Sequence, residues 1–186
     1  MRLFIAINVL AEIRCSLGSF VEELRVIAPQ AKWVRAENLH LTLKFLGETD
    51  PAKLERVQTA LSTIRTSQPV ILDFRGFGFF PTLQRPQVFW AAMNSSANLQ
   101  ALALDIDRTL HAIGFPVEQR PFTAHLTLAR FHPSGPLPNL LAAVKHHSSR
   151  SFGSLTAHEF HLIESKPKST GAEYTTVKTF PFVAEN

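Results

Sequence analysis

The sequence predicts an α+β fold: antiparallel sheets with helices packed on one face. Three observations predict it. Period-two and period-3.6 stretches of hydrophobicity alternate along the 186 residues. Several strand-like stretches follow one another across short turns, as antiparallel pairing requires. The order is strand, helix, strand, helix, two strands, then helix, strand, short helix, two strands, which reads as a rough duplication. One tetrapeptide marks it: His-Leu-Thr-Leu at residues 40–43 returns at residues 125–128, 85 positions on.

Residues 2–9 are rich in Phe, Ile and Val and read as a first strand. Residues 11–27 carry Ile13, Leu17, Phe20, Val21, Leu24 and Ile27 at helical spacing, with Glu12, Arg14, Glu22, Glu23 and Arg25 on the wet side. Pro29 stops that helix. Residues 32–34 suit a short strand, and residues 40–47 a longer one. Asp50 is placed to cap a helix with Pro51 in its first turn, running to about Ser67. Strands are expected over 70–80 and 87–92, with a polar turn between them. A helix over 96–113 ends at Gly114. The second His-x-Thr strand covers 123–131. A Pro/Gly turn at 134–138, a short helix over 140–147 and two strands over 153–164 and 173–180 complete the chain. The last two are joined by a basic loop at 165–171 with Lys166 and Lys168.

Composition narrows the function. Hydrophobic residues make up 45%, enough for a core, and 15 phenylalanines against 1 tyrosine and 2 tryptophans put most aromatic area inside. A formal charge of +4 suits a phosphate-bearing ligand and falls short of a nucleic-acid tail. The single cysteine, Cys15, excludes an internal disulfide and reads as a small buried or half-buried residue in the first helix. The apolar start, residues 1–10, is too short to cross a bilayer and lacks a basic leader and a cleavage pattern, so a cytoplasmic location is expected.

In a regular strand His40, Thr42 and Lys44 share one face, and Leu41, Leu43 and Phe45 the core face. His125 and Thr127 repeat the pattern, whereas Arg130 falls on the core parity. A surface histidine on a half-exposed strand explains either copy alone. It does not explain both, because packing would preserve the leucines and leave the polar letters free. Two imidazoles with ordinary pKa values near ~6.5 can hold one proton between them, giving one acid and one base. The threonine hydroxyls lie on the same face and can donate to phosphate oxygens, and Lys44 or Arg130 can supply a cation. A zinc site is the weaker chemistry: only two histidines repeat, and zinc wants at least three protein ligands. His146, His147, His158 and His161 have no repeat partner and read as surface or strand residues.

These residues sit in a wider pattern. Residues 2–7, residues 33–47 with Asn38-Leu39 leading into the first motif, Phe80-Pro81, Arg85-Pro86 with Val88 and Trp90, Arg120-Pro121-Phe122, residues 125–130, Phe152-Gly153, residues 162–165 and Tyr174 resemble the RNA 2′,3′-cyclic phosphodiesterases, also called 2′-5′ RNA ligases, of the two-histidine phosphoesterase superfamily. The resemblance implies one two-lobed domain over residues 1–186: two pseudo-symmetric antiparallel sheets with helices on the outer faces, and a central cleft holding one motif from each lobe. It implies hydrolysis of RNA or nucleoside 2′,3′-cyclic phosphate to a 2′-phosphate end. His40 would be the proton donor to the departing 3′ oxygen and His125 the base that activates water. Thr42, Thr127 and Arg130 would hold the phosphate. No metal or cofactor is expected, the partner is RNA or a nucleotide with a cyclic phosphate end, there is no membrane partner, and a monomer is expected. ATP-independent joining of 2′-5′ ends at the same site and a nucleotide-binding module without turnover are the alternatives. Trp33, Phe45 and Tyr174 are candidates for base stacking, with core packing the preferred role for Phe45; Arg35, Lys44, Arg85, Arg120, Lys166 and Lys168 are candidates for contact with RNA phosphates.

Overall fold

A computed structural model describes residues 1–66, 68–131, 137–169 and 171–182. It contains two antiparallel sheets. The first has four strands: β1 (Arg2–Asn8), β3 (His40–Glu48), β8 (Glu159–Lys168) and β9 (Gly171–Pro181), in the order β3-β1-β8-β9. The second has five: β2 (Lys32–Trp33), β4 (Val70–Pro81), β5 (Pro86–Ser95), β6 (His125–Arg130) and β7 (Ser151–Ala157), in the order β2-β6-β5-β4-β7. Each sheet carries one His-x-Thr strand. Leu3 to Ile7 of β1 are all buried, which explains why their alternation is weak in the sequence.

The helices are α1 (Ala11–Ile27), α2 (Leu54–Leu61), α3 (Asn98–His111) and α4 (Pro138–His146). α1 has the expected bounds and buries Ile13, Leu17, Phe20, Val21 and Leu24. It leaves β1 of the first sheet but packs on β7 of the second, and on α4. α3 does the converse: it follows β5 of the second sheet and packs on β3 of the first, and on α2. The lobes are therefore not the two halves of the sequence; each is assembled from both. One continuous apolar core, including Leu17, Phe20, Leu41, Phe74, Phe89, Leu126 and Leu162, runs through the two layers.

Several expectations change. The second helix stops at Leu61, because Ser62 and Thr63 turn their hydroxyls back onto the carbonyls of Gln58 and Ala60. It opens on a 3₁₀ turn at Pro51–Lys53, where Asp50 accepts the Ala52 N–H at 2.9 Å as expected of a cap. The strand expected over 153–164 is two strands in different sheets, β7 and β8, parted at His158. The basic loop at 165–171 is mostly hairpin: β8 and β9 stay paired as far as Lys168 and Gly171. Lys166 and Lys168 pair with Glu164 and Glu173. Cys15 is exposed, on the outer side of α1. The Pro/Gly turn at 134–138 falls mostly outside the described residues, and Pro138 opens α4. Among the described residues no helix is long and apolar enough to cross a membrane.

Candidate active site

β3 and β6 share a distortion that places their side chains. In β3, Thr42 faces Ala6 and Lys44 faces Ile5, which leaves Leu43 as an extra residue. In β6, Thr127 faces Trp90 and Ala129 faces Phe89, which leaves Leu128 extra. Each is a β-bulge one residue past the threonine, and a bulge puts two successive side chains on the same face. Burial follows in step: intermediate, buried, intermediate, buried, buried, exposed for residues 40–45 and again for residues 125–130.

The bulge removes the parity problem at Arg130 and corrects two other expectations. Beyond it, Arg130 and Phe45 turn to the motif face, and Lys44 and Ala129 turn to the core. Phe45 is 62% exposed, not a core residue. Lys44 is 6% exposed and is not a phosphate ligand. Its ammonium donates to Asp107 Oδ1 at 2.5 Å and to the Pro116 carbonyl at 2.8 Å. Asp107 Oδ1 also accepts the Glu118 N–H at 3.1 Å. Burial disfavours the charged carboxylate of Asp107, but these donors outweigh it and hold its pKa below the ordinary value. The pair fastens β3 to the segment that leads into β6.

His40, Thr42, His125, Thr127 and Arg130 line one cleft of about 250 Å³, together with Arg2, Phe4, Asn38, Phe45 and Tyr174. The sequence had not marked Arg2, Phe4 or Asn38 as site residues. Arg85 and Arg120 are exposed and do not line it. Trp33 and Arg35 line the adjacent groove instead.

The two imidazoles are held alike. His40 Nδ1 is 2.7 Å from the Asn38 carbonyl oxygen, and His125 Nδ1 is 2.7 Å from that of Thr123. A carbonyl can only accept, so each Nδ1 carries a hydrogen and each Nε2 is the nitrogen that exchanges protons. Each ring also sits against two aromatic side chains. Phe4 and Tyr174 lie 4.7 and 5.1 Å from His40, and Phe80 and Trp90 lie 5.2 and 6.0 Å from His125. The Trp90 indole occupies the space a Cβ on Gly78 would need: its ring atoms come within 2.1 Å of that position. Burial lowers both histidine pKa values, against the raising effect of the carbonyl hydrogen bonds. Arg130 lowers His125 further, and among the described residues no such cation acts on His40. Outside the cleft, His111 Nδ1 also lies 3.1 Å from a carbonyl oxygen, that of Phe115, but at the exposed end of α3. His161 is buried in β8, with Nδ1 3.1 Å from the Thr179 hydroxyl, and among the described residues no three His, Cys, Asp or Glu side chains converge.

The LigT like Phosphoesterase family matches residues 7–90 and 92–174, and each stretch holds one of the two motifs. The chain belongs to this family. Among LigT-like relatives, the RNA 2′,3′-cyclic phosphodiesterase of Archaeoglobus fulgidus is 35% identical over 97% of this chain and 99% of its own. That of Methanocaldococcus jannaschii is 30% identical over 96% and 99%. The crystal structure of TT0787 of Thermus thermophilus superposes with a TM-score of 0.78 at 29% identity, over the whole of both chains. That of E. coli LigT complexed with 3′-AMP gives 0.74 at 28% identity over 97% of each. Both LigT-like structures share the two-sheet fold.

Proposed function

We propose that this protein hydrolyses the 2′,3′-cyclic phosphate of RNA or nucleoside ends and leaves a 2′-phosphate. The twinned setting of His40 and His125 carries the reading: two imidazoles, each with its hydrogen held on Nδ1 by a backbone carbonyl, present Nε2 to one cleft. In the reaction, water attacks phosphorus as His125 Nε2 takes its proton. The bond from phosphorus to O3′ breaks as His40 Nε2 donates a proton to that oxygen. Thr42, Thr127 and Arg130 receive the non-bridging oxygens, where charge gathers.

The roles follow from the charges. Arg130 disfavours a protonated His125 and so favours the base at that ring. His40 has Phe45 where His125 has Arg130, and the phosphate's negative charge raises its proton affinity once substrate binds. The name carried by the Archaeoglobus relative supports the same reaction. A cytoplasmic monomer, acting as one two-lobed unit without a metal, completes the reading.

The test is product analysis. With a 2′,3′-cyclic nucleotide in chelator, a 2′-phosphate product is expected. A 3′-phosphate would reverse the assignment of the leaving oxygen, and strict dependence on added metal would overturn the acid–base scheme.

A further inference from the structure

We infer that the groove beside the cleft holds the nucleotide preceding the reacting end, which makes a short single-stranded RNA a better substrate than a mononucleotide. This rests on the proposed hydrolysis. The groove has a volume of about 450 Å³ and shares Val34, Asn38, Ala172 and Tyr174 with the cleft, so the two adjoin along a common wall. The cleft itself, at about 250 Å³, lies below the ~300–1,000 Å³ typical of sites that enclose a whole drug-sized ligand. It suits a terminal nucleotide, and whatever precedes that nucleotide leaves through its 5′ oxygen.

The groove has the chemistry to receive it. Trp33 and Tyr174 line the groove with aromatic rings, and Arg25 and Arg35 with cationic side chains. Single strands are held by stacking and backbone charge together. The walls are held in place. The Trp33 indole N–H donates to the Ala28 carbonyl at 2.9 Å, and the Asn38 amide donates to the Ala172 carbonyl at 2.8 Å, which ties the shared partition across to β9. Gly171, at φ +122°, lines the groove beside Arg35, whose side chain lies 4.0 Å from where a Cβ would stand. Arg25 pairs with Glu22 and Arg35 with Glu37, in exposed contacts that are individually weak. A phosphodiester competes with such pairs on favourable terms.

The experiment compares cyclic 2′,3′-CMP with a dinucleotide ending in the same cyclic cytidine phosphate. For the native protein, kcat/KM should be about tenfold or more higher for the dinucleotide, and that advantage should shrink as salt rises. In the Arg25→Ala/Arg35→Ala variant the ratio of the two kcat/KM values should fall several-fold toward one; Trp33→Leu, checked for folding by circular dichroism, should lower it too. Equal kcat/KM for both substrates in the native protein, or a ratio untouched by all three substitutions, would overturn the groove while leaving the hydrolysis intact. No turnover of either substrate would remove both.

Discussion

β3 and β6 have the same backbone and the same first four side chains, and they part at the fifth. Where β3 turns Lys44 inward, β6 turns Ala129; where β3 presents Phe45 to the cleft, β6 presents Arg130. The shared portion, from the histidine to the bulge, builds two equal holders for an imidazole. The portion that differs makes them unequal. Arg130 puts a positive charge beside one ring, and Phe45 puts an apolar face beside the other. In the proposed reaction, acid and base would come from one repeated device, distinguished by the residue just past the bulge.

Removing a ring breaks the comparison most severely. His40→Ala and His125→Ala should each cost about 10²–10⁴ in kcat, with far-UV circular dichroism unchanged. Normal turnover by either variant would take that ring out of the reaction. The inward position comes next. Lys44→Met leaves the partly buried Asp107 carboxylate without its ammonium, and about 1–3 kcal/mol of stability should be lost in urea unfolding. Lys44→Met/Asp107→Leu should recover most of it, because two apolar groups leave no charge unpaired. The loss belongs to β3 alone, since Ala129 has no partner to lose.

The outward position sharpens the contrast. Arg130→Gln should lower kcat by about 10²–10³, the range for a donor lost from developing charge. Phe45→Ala should act chiefly on KM, through lost stacking with a base. Equal effects of both on kcat would mean that charge does not distinguish the strands. The smallest effect is on pH dependence. Both histidines are lowered from 6.5 in the free protein, so the bell of kcat/KM should centre on the acid side of that value. Bound phosphate favours the protonated rings, which moves the optimum of kcat to higher pH. Arg130→Gln should raise the His125 pKa, a shift that NMR titration of the ring proton reads directly.

Much of this was legible in the letters. Helical spacing from Ile13 to Leu24 gave α1 its correct ends, and the repeated His-Leu-Thr-Leu marked the two strands that meet at the cleft. The bulges were not legible, because an extra residue is defined only against the neighbouring strand, and a period-two reading assumes there is none. Lys44 and Phe45 therefore took each other's faces. The signal was present in Arg130: a guanidinium on a core parity is a contradiction, and a bulge is its simplest resolution. The carbonyls of Asn38 and Thr123 were out of reach for another reason, since backbone atoms are the same for every letter. Residues 153–164 misled because their strand-like pattern runs on past His158, where the chain changes sheets.

That change of sheet is one of several. β1 leads to α1 across the molecule, β2 to β3, α2 to β4, β5 to α3, α3 to β6 and β7 to β8, each passing from one layer to the other. The lobes are laced, and no single connection can serve as a pivot on which they swing apart. Drawing the two imidazoles apart would strain several crossings at once, and a protease that severs one crossing leaves the two sheets joined by the others.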